Sequence, residues 1–368
     1  MEHSFTPIIK DILSQHYNEA GIKIYEKSLL LQYINEKTKS ANKGSKSRSS
    51  FANLYAIYVI IEDYLAHEFD KNGSYKDYEG AQFSQLFQRQ RELPFGSKLQ
   101  NHALNNRMNA EFQKFFPTSD VTPILRNLET NRYWFNENLL VIDVEGTKYN
   151  IANSAIAVID EYVRIKQDSF QRFIKQCEKL QSIEDGDDTG AYEFIMGLLA
   201  PNVDARLFEI VSYAILKNFY KDQTIIWGYT MEKLNKESLK LYKTGRTNAN
   251  DGGIDFVMRP LGRFFQVTET LDFKKYFLDI EKIERYPITF VVKSTDATDI
   301  LRDKLHQDAL TTYVVKDIVD KYMACIEEII NIPKLESYFK SVVEIGQLAN
   351  VLSEIILQSK VEFNYEED

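Results

Sequence analysis

"DGGIDFVMRPLGRFFQVTET", residues 251–270, holds two apolar runs around a Pro-Leu-Gly turn. Proline fixes its own φ and glycine accepts a left-handed one, so "RPLG" reads as a reversal between two strands. Alternation in the second run places Phe264, Gln266 and Thr268 on one face and Phe265, Val267 and Glu269 on the other. Asp255 is read as ending the strand beside it. The stretch is therefore either an ordinary buried hairpin or the metal-binding edge of a nuclease.

Working outward, "ARLFEIVSYAILK" (205–217) has helical spacing and carries Glu209. "QTIIWGYT" (223–230) and "ITFVVKS" (288–294) read as further strands, and "TDILRDKLHQDAL" (298–310) as a helix after the last of them. Toward the N-terminus, "FANLYAIYVIIEDYLAHEF" (51–69) reads as a long apolar helix. "AQFSQLFQRQRELPFGSKLQNHALNNRMNAEFQKFF" (81–116) reads as helix, turn, helix, and residues 132–151 as a β-hairpin around Glu145-Gly146. The acidic stretch 182–190 is the best linker. An α+β or α/β chain is expected: a mainly helical region over 1–185, a mixed-sheet core flanked by helices over 190–310, and C-terminal helices with an acidic tail over 311–368.

The chain has 368 residues, enough for about two or three domains. It is 44% hydrophobic and 27% charged, which suits a packed core rather than a disordered chain. No apolar run approaches the roughly 20 residues that span a bilayer. No secretory leader is visible at the start, and the two cysteines, Cys177 and Cys325, form neither a disulfide framework nor a zinc signature. A reducing cytoplasmic setting is expected. The net charge of −9 argues against nucleic acid as a partner, since phosphate binding wants a basic face, although acids concentrate in 181–193 and 361–368 and leave a more balanced body. There is no phosphate-binding G-x-x-x-x-G-K-[ST] loop, no H-E-x-x-H, no G-x-S-x-G, and no paired histidines for an HNH-type nuclease among the five scattered ones.

The order of an acid-bearing helix, "GGIDF" and then "FQVTE" resembles the PD-(D/E)xK nuclease superfamily. The matching residues are Glu209, Asp255 and Gln266, and the resemblance covers about residues 205–295. It implies Mg²⁺ held by oxygen ligands from these three side chains, and hydrolysis of a DNA phosphodiester. The departure is Thr268, which stands where the family carries lysine; a hydroxyl cannot supply positive charge. Lys274 is the first substitute, with Lys275, Lys243 and Arg246 as others. Glu269 becomes a ligand if a bulge shifts the face by one residue.

The layout as a whole is similar to type II restriction endonucleases, and within them to the HaeII-like group. That resemblance implies duplex DNA with a short palindromic site, a homodimer and a companion DNA methyltransferase. A repair or junction nuclease of the same fold, and a catalytically degenerate DNA-binding protein, are the rival readings. For phosphate contact the basic stretch containing Lys43, Lys46 and Arg48 stands out. For base readout the set is Arg89, Arg91, Lys98, Asn101, Asn105 and Arg107, since Arg suits guanine and Asn suits adenine in the major groove.

Overall fold

A computed structural model of the chain describes residues 2–39, 47–71, 75–97, 99–181, 188–244, 254–313 and 315–363. The chain divides into two compact units, Met1–Phe173 and Ile174–Asp368. The division falls within one long helix, ahead of the acidic stretch. The C-terminal helices belong to the same unit as the strands before them.

The first unit is mainly helical. It contains α1 (Thr6–Tyr17), α2 (Ala20–Lys27), α3 (Leu29–Thr38), α4 (Ser47–Ala66), β1 (Ala81–Gln82), α5 (Phe83–Glu92) and α6 (Met108–Phe115). Then follow β2 (Ile124–Asn127), β3 (Arg132–Phe135), β4 (Val141–Val144), β5 (Thr147–Asn150) and α7 (Ala152–Gln181), which runs on into the second unit. Helix α4 is apolar nearly all round: Leu54, Tyr55, Ile57, Ile60 and Ile61 are fully buried, so it forms the unit's spine. The expected hairpin around Glu145-Gly146 is β4–β5, with both turn residues at positive φ. The run "RYWF" that the sequence joined to it is instead the middle strand of a separate three-stranded sheet, β1-β3-β2.

In the second unit α8 (Asp188–Leu198) and α9 (Ala205–Tyr220) precede β6 (Thr224–Trp227), β7 (Asn235–Ser238), β8 (Lys240–Lys243), β9 (Phe256–Arg259) and β10 (Arg263–Thr268). Next come α10 (Phe273–Lys282), β11 (Ile288–Val292), α11 (Thr298–Thr312), α12 (Lys316–Ala324), β12 (Ile326–Ile330), α13 (Ile332–Glu344) and α14 (Leu348–Phe363). Five strands form one sheet in the order β12-β11-β10-β9-β8. Strand β9 pairs antiparallel with both β8 and β10, whereas β10, β11 and β12 are parallel. The parallel steps need crossovers, which α10 and the α11–α12 pair supply.

Two faces of the sheet are covered. Ile288, Phe290 and Val292 pack with Phe273, Tyr276, Phe277 and Ile280 of α10 and with Leu301 and Leu305 of α11. On the opposite face Phe256 meets Tyr213 of α9 (ring centroids 5.1 Å), and Phe265 meets Tyr220 (6.4 Å). Helix α9 starts at Asp204, whose carboxylate accepts from the Arg206 amide at 2.8 Å. Two covered faces explain why β11 is buried at all five positions, four of them apolar and the fifth, Thr289, hydrogen-bonded to Arg263.

One sequence expectation fails here. Residues 311 onward read as helical throughout, but "IEEII" is strand β12, paired with β11. Its two central acids lie between apolar neighbours, and short apolar runs of this kind do not distinguish strand from helix by periodicity. The stretch 273–282, left unassigned by the sequence reading, is the amphipathic crossover helix α10.

Phe290 is fully buried, with its ring 4.3 Å from that of Tyr276. Phe290→Ala is expected to lower stability by about 3–5 kcal/mol, read as a fall in the midpoint of chemical denaturation followed by fluorescence.

Candidate functional site

Strands β8, β10 and β11 all end at one end of the sheet, and β9 begins there. Lys243 closes β8, Asp255 immediately precedes β9, Glu269 follows β10 and Lys293 follows β11. The end of parallel strands, beyond their carboxyl termini, is where open α/β sheets commonly bind ligands.

Asp255 thus opens its strand; the reading that it ends one is corrected. The register also slips at this point. Phe256 is the partner of Phe265, yet the Asp255 amide donates to the Phe265 carbonyl as well, at 2.9 Å. Two successive residues of one strand therefore oppose one residue of its neighbour, which is a bulge. The next amide along β10, Val267, donates to Asp255 Oδ2 at 2.7 Å instead of to a backbone carbonyl. On its other side the Asp255 carbonyl accepts from the Thr244 amide at 3.0 Å, which ties it to the end of β8.

Asp255 is half-buried. Burial, and after it the nearby Glu209 carboxylate, push it well above the usual carboxylate range; the Val267 amide and the charge of Lys243 act in the opposite sense. Glu209, on α9, pairs with Lys243 at 2.9 Å, and the two side chains are 15% and 16% exposed. A second pair lies at the ends of β10 and β11: Lys293 Nζ to Glu269 Oε1, 2.6 Å. Lys293 is 3% exposed and also donates to the Val203 carbonyl, just ahead of α9.

Asp255, Glu209 and Lys243 are therefore brought together. Lys274 is not part of this group. It lies in the first turn of α10, exposed, with Nζ 6.0 Å from the ring of its neighbour Phe273. The cation acting on Asp255 is Lys243. The Thr268 hydroxyl is taken up by the turn after β10, where it bonds to Thr270. Glu269 is held by Lys293, a residue the sequence reading passed over. Its signal was a lysine directly after a mainly apolar strand.

The Asp255 and Glu209 carboxylates are oxygen donors suited in chemistry to a hard cation such as Mg²⁺; Gln266 alternates with Phe265, whose ring meets Tyr220 of α9, and so lies on the sheet face away from that helix. Gln266 Oε1 is buried without a hydrogen-bond partner, an orphan acceptor one residue from the amide that Asp255 caps. Among the described residues no group of three or more His, Cys, Asp or Glu side chains is placed to hold a metal.

The residues expected to touch DNA lie in the first unit. Lys43, Lys46 and Lys98 fall outside the described residues, as does Arg246; Arg48 lies in the first turn of α4, and its side chain is outside them too. Arg89 makes two bonds of 2.8 Å to Glu62, so its guanidinium is committed within the unit. Arg107 bonds to Glu111 at 2.9 Å, and Arg91 donates to the Ser97 carbonyl at 3.0 Å. Asn105 accepts from the Tyr133 hydroxyl at 3.2 Å, and half-buried Asn101 gives its carbonyl to the Asn105 amide. Arg89, Arg91, Arg107 and Asn105 thus each make a bond within the unit, while the arginines keep exposed side-chain surface.

No protein-family model, curated protein or solved structure matches the chain. Among the described residues no helix is long and apolar enough to cross a membrane.

Ionising Asp255 costs the native state stability, because its folded carboxyl titrates above the unfolded value of about 3.9. The cost is absent below about pH 4 and grows as pH rises above it. Asp255→Asn keeps an acceptor for the Val267 amide and removes the charge. The variant is expected to melt above the native chain at about pH 7, with the gap closing toward about pH 4. Thermal melts across pH measure it; a constant gap would exclude Asp255 as the group responsible.

Proposed function

We propose that the second unit is the core of a Mg²⁺-dependent endonuclease that cuts both strands of DNA at a short, palindromic sequence, as a restriction enzyme does. The observation that carries this reading is the half-buried Asp255 carboxylate beside the Glu209–Lys243 pair at the strand-end edge of the sheet. The element order supports it: α9 with its acid, three antiparallel strands β8–β10, the crossover α10, then β11 parallel to β10. The acid-bearing helix ahead of the strands carrying Asp255 and Gln266 is the part of this order on which the resemblance to PD-(D/E)xK nucleases rests.

In this reading Asp255 and Glu209 hold the metal. Bound Mg²⁺ neutralises phosphate charge and makes water easier to deprotonate. The protein's own contribution is orientation and charge. The Val267 amide fixes one Asp255 oxygen and leaves the other to bind. Lys243 replaces the lysine missing at Thr268, supplying positive charge from β8, two strands away, to the phosphoryl oxygens as charge builds on them. A homodimer reading two half-sites, and a companion methyltransferase protecting host DNA, belong to the same proposal.

A specific observation favours the degenerate, non-cutting alternative. Glu209 and Glu269 each already have a lysine, and Asp255 resists ionisation. Incubation of unmethylated plasmid DNA with Mg²⁺, against an EDTA control, separates the two. Discrete EDTA-sensitive fragments support the nuclease; intact DNA with a salt-sensitive mobility shift supports binding alone.

Given cleavage, Asp255→Ala is expected to abolish it and leave DNA binding in place. Lys243→Ala is expected to slow cutting by about 10²–10³-fold, while Lys274→Ala leaves the rate unchanged. Single-turnover rates compare the three, and a loss confined to Lys274→Ala would return the role to that residue.

A further inference from the structure

Lys293 is more deeply buried than Lys243, with 3% of its side chain exposed against 16%. Lysine is rarely buried to this degree, because its ammonium gives up strong hydration. Its carboxylate partner does not require it there, since Glu269 is 31% exposed and can be met by water. The ammonium also donates to the Val203 carbonyl, in the segment that leads into α9, and lies 5.8 Å from the ring of Phe208 on α9. The Lys293 backbone amide donates to the Thr268 carbonyl at 2.9 Å. One residue therefore ties the ends of β10 and β11 to the start of α9. Val203 directly precedes the capping residue Asp204, and Phe208 directly precedes Glu209.

We propose that Lys293 is a positioning residue: it fixes α9 along the helix's own axis and thereby places Glu209 opposite Lys243. The rings of Tyr213 and Tyr220 pack α9 on the sheet and set its distance from the strands. Apolar contacts are non-directional, so they resist sliding along the helix axis only weakly. A hydrogen bond is directional, and one made to the start of the helix opposes that sliding. Val203 contributes a backbone carbonyl, so the hold is on the chain itself. A helix rises about 1.5 Å per residue, so a slip by one residue moves Glu209 by about half its 2.9 Å separation from Lys243. At 3% exposure Lys293 acts through Glu209 rather than on a substrate.

The positioning is a property of the folded chain and is tested without DNA; only its consequence for metal binding rests on the nuclease reading. Melting temperatures of the full chain are measured for Glu209→Gln, Lys243→Met and the double variant, first with Lys293 in place and then with Lys293→Met. With Lys293 in place the changes are expected to be non-additive, the double variant melting about 2–4 °C above the sum of the single changes. With Lys293→Met that excess is expected to vanish. Lys293→Gln, one atom shorter and uncharged, repeats the measurement should Lys293→Met not fold. Glu269→Gln, which leaves Lys293 on Val203, is expected to keep the excess. An excess absent from the native background, one unchanged without Lys293, or one lost equally in Glu269→Gln overturns the proposal. If the native chain cuts DNA, Lys293→Met is expected to raise the half-saturating Mg²⁺ concentration by about 10–100-fold. Loss of the excess in a chain that never cuts supports the positioning and rejects the nuclease reading alone.

Discussion

One hydrogen bond, from the Val267 amide to Asp255 Oδ2, fixes the end of the sheet around which the candidate site is built. Strand β10 runs on beyond the point where β9 begins, so its amide there lacks a backbone acceptor. A buried amide without a partner is costly, and a carboxylate supplies one at the expense of burying a charge. That charge is attracted by Lys243 and repelled by Glu209. The same arrangement thus ends the ladder, holds one carboxylate oxygen still, and disfavours ionisation of the group.

The support for this arrangement is α9. It is buried along most of its length, and it covers one face of the sheet through Tyr213 and Tyr220 while offering Glu209 at the sheet's edge. Helix α10 and the α11–α12 pair close the other face. With both faces filled, the open positions lie where strands end, and there two lysine–carboxylate pairs and the Asp255 carboxyl meet. Fold order alone does not confer an activity; the functional reading rests on those side chains.

In the first unit several charged and amide groups of one sequence segment also bond within the chain. Segment 89–107 looked like a row of groups suited to base edges. In three dimensions Arg89 is claimed by Glu62, from a helix earlier in the chain, and Arg107 by Glu111 one turn on. Asn109, one turn before Phe112, exchanges two 2.9 Å bonds with the Ile124 backbone and so holds β2 in place. Polar residues on a helix can face solvent, a ligand or another part of the same chain, and the sequence does not say which.

Local pattern determined much of the second unit. Two strands about a Pro-Leu-Gly turn, the helix carrying Glu209, the apolar strand 288–292 and the helix after it were all legible, because period and turn chemistry act over a few residues. The same patterns could not show that "IEEII" is a strand, since pairing with β11 decides it, nor that the strand slips by one residue at Asp255. They could not choose among the lysines either. Lys274 is nearer in sequence to the strand that lacks its lysine, but Lys243 lies across the sheet from Phe256 and reaches Glu209. Electrostatic partners are set by distance in space, and only the packing of α9 against the sheet fixes that distance.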